Sequence, residues 1–160
     1  YAPTDVSPDD EKEIFYNLLE ETYSKIPKSH IKIVIGDFNA KIGKEPEYEC
    51  IVGKHSLHDE SSDNGVRLIN FAATFDLTVS STSFPRKNIH KGTWKSNDGK
   101  TVNQIDHVLI DSKYKQSITD VKTKRGADCD SDHFLVKTKL QYSNLKYRAS
   151  KNKKPPRWNI

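Results

Sequence analysis

The order of apolar patterns in this sequence predicts a mixed α/β protein built in layers. Two segments carry apolar residues at helical spacing, and several short runs are rich in Ile, Val and Thr. Their order is helix, strand, helix, then mostly strands, which fits packed layers better than a regular βαβ array.

Tyr1-Ala2-Pro3-Thr4 reads as an extended opening, because Pro3 biases Ala2 away from helix. Ser7 is placed to cap a first helix, with Pro8 at its first position and Asp9, Asp10 and Glu11 at the positive end of its dipole. Ile14, Leu18, Leu19, Tyr23 and Ile26 form the expected apolar stripe, and Pro27 stops the helix. Ile31-Lys32-Ile33-Val34-Ile35 reads as a buried strand ending at Gly36. The polar segment from Asn39 to Asp63, broken by Gly43, Pro46 and Gly53, is long for a connection, which marks it as functional or disordered. Asp63-Asn64 is expected to cap a second helix that offers Val66, Ile69, Phe71, Ala72, Ala73 and Phe75 for burial. Leu77 to Ser80 reads as a strand. Thr93-Trp94-Lys95 and Val102 to Ile110 read as a hairpin around Asn97-Asp98-Gly99, since Asp-Gly favours a tight primed turn. Ile118 to Lys124 and Phe134 to Leu140 complete the strands.

A length of 160 residues suits one domain with a tail. No apolar run approaches the ~20 residues that span a bilayer, so no membrane partner is expected. Cys50 and Cys129 are too few for a disulfide framework or a cysteine-only zinc site, and the expected setting is intracellular with reduced thiols. The net charge of +4 is uneven. Residues 141–160 hold Lys146, Arg148, Lys151, Lys153, Lys154 and Arg157 and no acid; without those six the rest has 20 basic against 22 acidic residues. The expected division is a slightly acidic domain, 1–140, and a basic linker or tail, 141–160. The chain has no Met and begins at Tyr1, so a fragment is expected.

Four polar groupings sit at strand ends. Asp37 and Asn39 follow the first strand within Gly36-Asp37-Phe38-Asn39; at spacing i, i+2 they share one direction if the chain stays extended. Together they offer an acceptor for a metal-bound water and a donor for a phosphate oxygen, while an ordinary turn also uses these residues. Asp106, between Ile105 and His107, costs desolvation in a strand unless it has a partner such as a histidine to orient; an edge strand is the alternative. Ser131-Asp132-His133 precedes a strand. Consecutive residues cannot form a serine-hydrolase relay, and the acidic cluster Asp128, Asp130, Asp132 lacks the Gly and terminal Glu of a calcium loop. Tyr1-Ala2-Pro3 means little by itself.

In this order the four groupings resemble the endonuclease/exonuclease/phosphatase superfamily, over residues 1 to about 140. Tyr-Ala-Pro-Thr, Gly-Asp-Phe-Asn-Ala-Lys-Ile-Gly, Asp-Asn-Gly-Val-Arg-Leu, His90 to Trp94 and Asn103 to His107 are most similar to the endonuclease domain of RTE-type non-LTR retrotransposons and to the craniofacial development protein 2-like group. The resemblance implies the C-terminal portion of a four-layer, DNase I-like α/β sandwich and metal-dependent phosphodiester hydrolysis. It implies Mg2+ (Mn2+ as the alternative) as cofactor, DNA as partner, a nuclear setting and continuation of the chain toward a reverse transcriptase.

The resemblance also implies roles. Asp37 would activate or position the attacking water and Asn39 would hold the phosphate. His133, oriented by Asp106, would stabilise phosphoryl charge. Asp132 would help hold the metal, and Tyr1 would hydrogen-bond the scissile phosphate. In-line attack on a phosphodiester needs such groups. The family's upstream strands, one carrying an Asn and the next an acidic metal-binding Glu, precede its Tyr-x-Pro motif. The expectation is therefore that residues 1–160 bind Mg2+ poorly and do not nick DNA by themselves.

Other residues carry weaker readings. Trp94 is placed either to touch DNA or to fill the core. Asn64 and Arg67 start the second helix and could approach phosphate, with capping and surface charge the simpler reading. Cys50, His55 and His58 lack an evident fourth zinc ligand. Lys41 and Lys44 flank the site loop and could steer a polyanion. Rival functions are a phosphatase of the same superfamily and a non-catalytic domesticated binding module.

Overall fold

The computed structural model describes residues 1–127 and 131–141. Cys129 and the basic tail beyond residue 141 lie outside the described residues.

Helix α1 spans Asp9–Lys25 with its acids in the first turn, as expected. Pro8 rather than Ser7 occupies the cap position, and the Ser7 hydroxyl pairs instead with Thr4 Oγ1 at 3.1 Å. The buried face differs in part, keeping Tyr23 of the expected stripe. Ile14 is 68% exposed and Leu18 60%, while Lys12, Tyr16 and Tyr23 are buried. These three recur at the helical period and carry polar tips that find partners. Lys12 Nζ donates to Asp5 O at 2.8 Å and to Asp63 Oδ2 at 3.0 Å, Tyr16 to Asn64 O, and Tyr23 to Asp111 Oδ1. A satisfied tip lets a long side chain bury its stem.

Strand β1 spans Ile33–Asp37, running two residues past Ile35. The long segment that follows is packed rather than loose. It includes a 3-10 turn at Pro46–Tyr48 and a bridge from Val52 to Val79, and Ile42 and Ala40 are core residues.

Helix α2 spans Asp63–Thr74. Its cap is Ser62, whose Oγ accepts the Gly65 N–H, one residue before the expected cap. Leu68, Ile69, Phe71 and Ala72 form its buried face, whereas Ala73 is exposed. Gly65 lies against the backbone of the segment after β1. A Cβ there would stand 2.0 Å from the Lys41 carbonyl oxygen. Gly65→Ala is therefore expected to destabilise by about 2 kcal/mol, read as a lower urea midpoint at unchanged slope.

Strand β2 (Leu77–Val79) is followed by a 3-10 turn over Ser80–Thr82. The expected hairpin is real but shorter. Strands β3 (Trp94–Lys95) and β4 (Val102–Asn103) pair antiparallel, joined by the loop from Ser96 to Thr101 with Gly99 at positive φ. The run from Val102 to Ile110 is not one strand. It breaks at Gln104-Ile105 and resumes as β5 (Asp106–Asp111) in another sheet. The Thr93 hydroxyl oxygen accepts the N–H groups of both Ile105 and Asp106, which fixes the break. Strands β6 (Ile118–Lys124) and β7 (Leu135–Leu140) form a further antiparallel pair.

The central sheet has the order β1-β5-β2, antiparallel throughout. One core cluster joins its inner face to α1 and α2 through Tyr23, Phe38, Leu68, Phe71, Val79 and Leu109. The second lies between Val108, Ile110, Ile118 and Val121. Among the described residues no helix is long and apolar enough to cross a membrane.

Candidate active site

The register of β1 against β5 sets Asp37 directly opposite Asp106. Like charges facing each other across a ladder repel, so this pair calls for a cation, a proton or an imidazole. His133 supplies the imidazole. Its Nδ1–H donates to Asp106 Oδ2 at 3.0 Å, and its Nε2 lies 3.9 Å from Asp37 Oδ2. The ligand atoms of Asp37, Asp106 and His133 all fall within 4.8 Å of one another. Burial raises the pKa of Asp106 above the ordinary carboxylate value, opposed by the Thr93 hydroxyl and by His133.

His133 is held in place by β3. Phe134 N–H donates to Thr93 O at 2.7 Å, Lys95 N–H donates to Asp132 O at 2.9 Å, and Trp94 bridges to His133. Thr93, just before β3, and Trp94 then grip different carboxylates with their side chains. Thr93 meets Asp106, and Trp94 Nε1–H donates to Asp132 Oδ2 at 2.7 Å. Asp132 thus lies outside the three-residue cluster, with one oxygen taken by Trp94. Trp94→Phe keeps the ring and removes this donor. Because the pair is exposed, the expected loss is no more than about 1 kcal/mol by urea unfolding.

The turn after β1 carries Asn39 in the left-handed region, φ 47°. Its N–H donates to Asp37 Oδ1 at 2.9 Å and its side-chain amide donates to Ala2 O at 2.8 Å, leaving one amide hydrogen uncommitted by these bonds. Ala2 N–H donates to Asp37 O at 2.9 Å, so the Tyr1–Pro3 segment lies along this turn, while the Tyr1 side chain is exposed. Asn64 corrects the sequence reading. Its side chain is 1% exposed and its amide is spent on Pro3 O and Asn39 O, so it stands behind the turn and does not face a substrate. Arg67 is taken by Asp63 and Asp9.

His107 has a role the sequence reading missed. It is fully buried, its Nε2–H donates to Ala40 O at 2.8 Å and its Nδ1 accepts from Ser81 Oγ at 2.8 Å. Strand alternation was the available signal: if Asp106 faces the site, His107 faces the opposite side. His58 Nε2 accepts the Gln104 N–H, and burial lowers its pKa. Among the described residues Cys50, His55 and His58 form no metal-binding group.

The donor set suits a hard divalent cation in part. Asp37 and Asp106 present carboxylate oxygens of the kind Mg2+ takes, whereas His133 Nδ1 is committed to Asp106. The cluster therefore fits a cation on its carboxylates, with the imidazole turned to other work.

This sheet and its flanking helices form part of a DNase I-like fold, as the sequence resemblance implied. Two solved structures carry the likeness. The 3'-5' exonuclease NExo from Neisseria meningitidis matches with a TM-score of 0.60 and 21% identity, over 85% of this chain and 56% of that one. A Neisseria NExo 3' phosphatase bound to product DNA hairpin matches with a TM-score of 0.56 and 20% identity, over 84% of this chain and 55% of that one. In sequence, the chain is similar to craniofacial development protein 2. It is 35% identical to the Bos taurus protein over 141 residues and 34% identical to that of Tragulus javanicus, in each case over 88% of this chain and 24% of the relative. It thus spans about a quarter of the length of these relatives. No protein-family model matches the chain.

Proposed function

We propose that the chain is the catalytic-turn portion of a metal-dependent phosphodiesterase that cuts DNA internally. The observation that carries this reading is the facing pair Asp37 and Asp106 bridged by His133. Asp37 takes the proton of, or positions, the attacking water. Asn39 directs its remaining amide hydrogen to a phosphoryl oxygen. His133, held by Asp106, turns Nε2 toward the phosphoryl group, and the Tyr1 hydroxyl bonds the same phosphate. Asp37 and Asp106 would hold Mg2+ or Mn2+, joined by Asp132 through its second oxygen. A cation bound there supplies charge neutralisation on the phosphoryl oxygens and a more acidic water.

DNA as substrate is supported by the NExo structure described as bound to product DNA hairpin. That name also favours a second reading, 3'-end processing by phosphate or nucleotide removal. The retrotransposon origin, the nuclear setting, the linker role of residues 141–160 and continuation toward a reverse transcriptase go with the endonuclease reading and stand as part of the proposal. Nearly half of each NExo chain lies outside the part that this chain matches. We therefore expect activity from a domain completed on its N-terminal side and none from residues 1–160 by themselves.

The test uses supercoiled plasmid and a 3'-phosphorylated oligonucleotide with the completed domain. Nicking that EDTA abolishes and Mg2+ restores is the expected result. Phosphate release without nicking would select the 3'-processing reading, and neither activity would return the fold to a binding module. EDTA-sensitive nicking by residues 1–160 would overturn the requirement for the rest of the domain.

A further inference from the structure

Asn64 is buried where four parts of the chain meet. Its two side-chain amide hydrogens go to Pro3 O at 2.9 Å and Asn39 O at 3.1 Å. Its backbone N–H donates to Asp5 Oδ1 at 3.2 Å, and its carbonyl accepts the Tyr16 hydroxyl at 3.2 Å. One residue at the start of α2 therefore ties the opening segment, α1 and the turn after β1.

The bonds close a ring around the proposed catalytic turn. Asn64 holds Asn39 O, Asn39 Nδ2 holds Ala2 O, Ala2 N–H holds Asp37 O, and Asn64 holds Pro3 O. Asn39 needs such support. Its backbone sits in the left-handed region, which an L-residue holds where surrounding contacts fix it. Its carbonyl is turned inward, where an unbonded oxygen would be costly. The same left-handed geometry returns the Asn39 N–H to Asp37 Oδ1.

We propose that Asn64 is a positioning residue: it fixes the Asn39 turn and the Tyr1–Pro3 segment against Asp37 from behind, without touching substrate. Its functional half rests on the hydrolase reading; its structural half does not. A displacement of about 1 Å in a reacting group can cost up to ~100-fold in rate. Loss of Asn64 is thus expected in kcat and not in KM.

Two measurements test this, one of them independent of catalysis. In residues 1–160 carrying Asn64→Ser, hydrogen exchange at the Asn39 and Ala2 amides is expected to rise at least tenfold. The core amides of Leu109 and Ile110 are expected to exchange as in the parent. A uniform rise across the protein, or no rise at Asn39, would overturn the inference and leave Asn64 an ordinary core contact. In the completed domain, Asn64→Ser is expected to lower kcat by 10- to 100-fold with KM within about threefold. A raised KM at unchanged kcat would make Asn64 a binding residue and refute positioning. If the parent domain cleaves nothing, the hydrolase reading fails and the exchange result decides the structural claim. Should Asn64→Ser not fold, Ser62→Ala and Asn39→Gly supply the comparison. Asn39→Gly removes the need for left-handed support, so combining it with Asn64→Ser should recover protection at the residue 39 amide, and no recovery there would overturn the inference.

Discussion

Asp37→Asn in the completed domain is expected to lower metal-dependent DNA cleavage by about 1000-fold, within the range for loss of a positioned base. The substitution is chosen because it leaves the turn intact. Asn39 N–H donates to Asp37 Oδ1, and an asparagine oxygen accepts the same bond. The strand pairing that sets residue 37 opposite Asp106 uses backbone groups and is untouched. What disappears is a charge: the site loses one of its two facing carboxylates, so both the proton acceptor and half of the hard-oxygen pair go. Folding should not suffer, because removal of one charge relieves repulsion across the ladder. The expected pattern is a large fall in single-turnover cleavage with a thermal midpoint within about 2 °C of the parent. A loss below tenfold would mean that Asp37 neither activates water nor holds the cation, and would move the chemistry away from this sheet end. Asp106→Asn should cost less, since its oxygen still accepts from His133 Nδ1.

The residues of the candidate site were legible because they stand at strand ends, where polar groups interrupt apolar runs. Asp37, Asp106 and His133 are polar residues beside Ile and Val, and burying them without partners would be costly. Their register was not legible. The run from Val102 to Ile110 looks continuous in sequence, and its break depends on a hydroxyl at Thr93, some ten residues away. Asp132 enters as a ligand through the family resemblance; neighbours in extended chain diverge, so one of its oxygens meets Trp94 while His133 meets Asp106. Helix α1 shows the opposite failure. Hydropathy favoured Ile14 and Leu18 beside Tyr23; Tyr23 is buried as expected, but its companions are Lys12 and Tyr16, and all three have their polar tips bonded. Such a face is invisible until the partners on α2 and β5 are placed. Asn64 was noticed for its position at a helix start, and only packing reveals that it faces inward.

His107 should make folding sensitive to mild acid. Complete burial drives its pKa down to about 4 from 6.5; the Ala40 carbonyl opposes this, and the charge of His58 adds to it slightly. The folded protein therefore keeps this ring neutral, with Nε2–H on Ala40 O and Nδ1 accepting from Ser81. The unfolded chain takes up a proton near pH 6.5. Between pH 6.5 and 4 the unfolded state binds more protons at this site, so stability falls as pH falls, by about 3 kcal/mol in total. Above pH 6.5 both states are neutral and the contribution is flat. Urea unfolding followed from pH 7.5 to 4 checks this against His107→Gln, which retains an amide donor and cannot titrate. The variant should be less stable at neutral pH and lose less on acidification, so that the two curves converge. The other histidines and the carboxylates, Asp106 among them with its raised pKa, contribute alike to both proteins and cancel in the difference. Parallel curves would show that His107 is not held neutral. Protonation would place the new hydrogen on Nδ1, so the Ser81 hydroxyl loses its acceptor while Nε2–H still donates to Ala40 O.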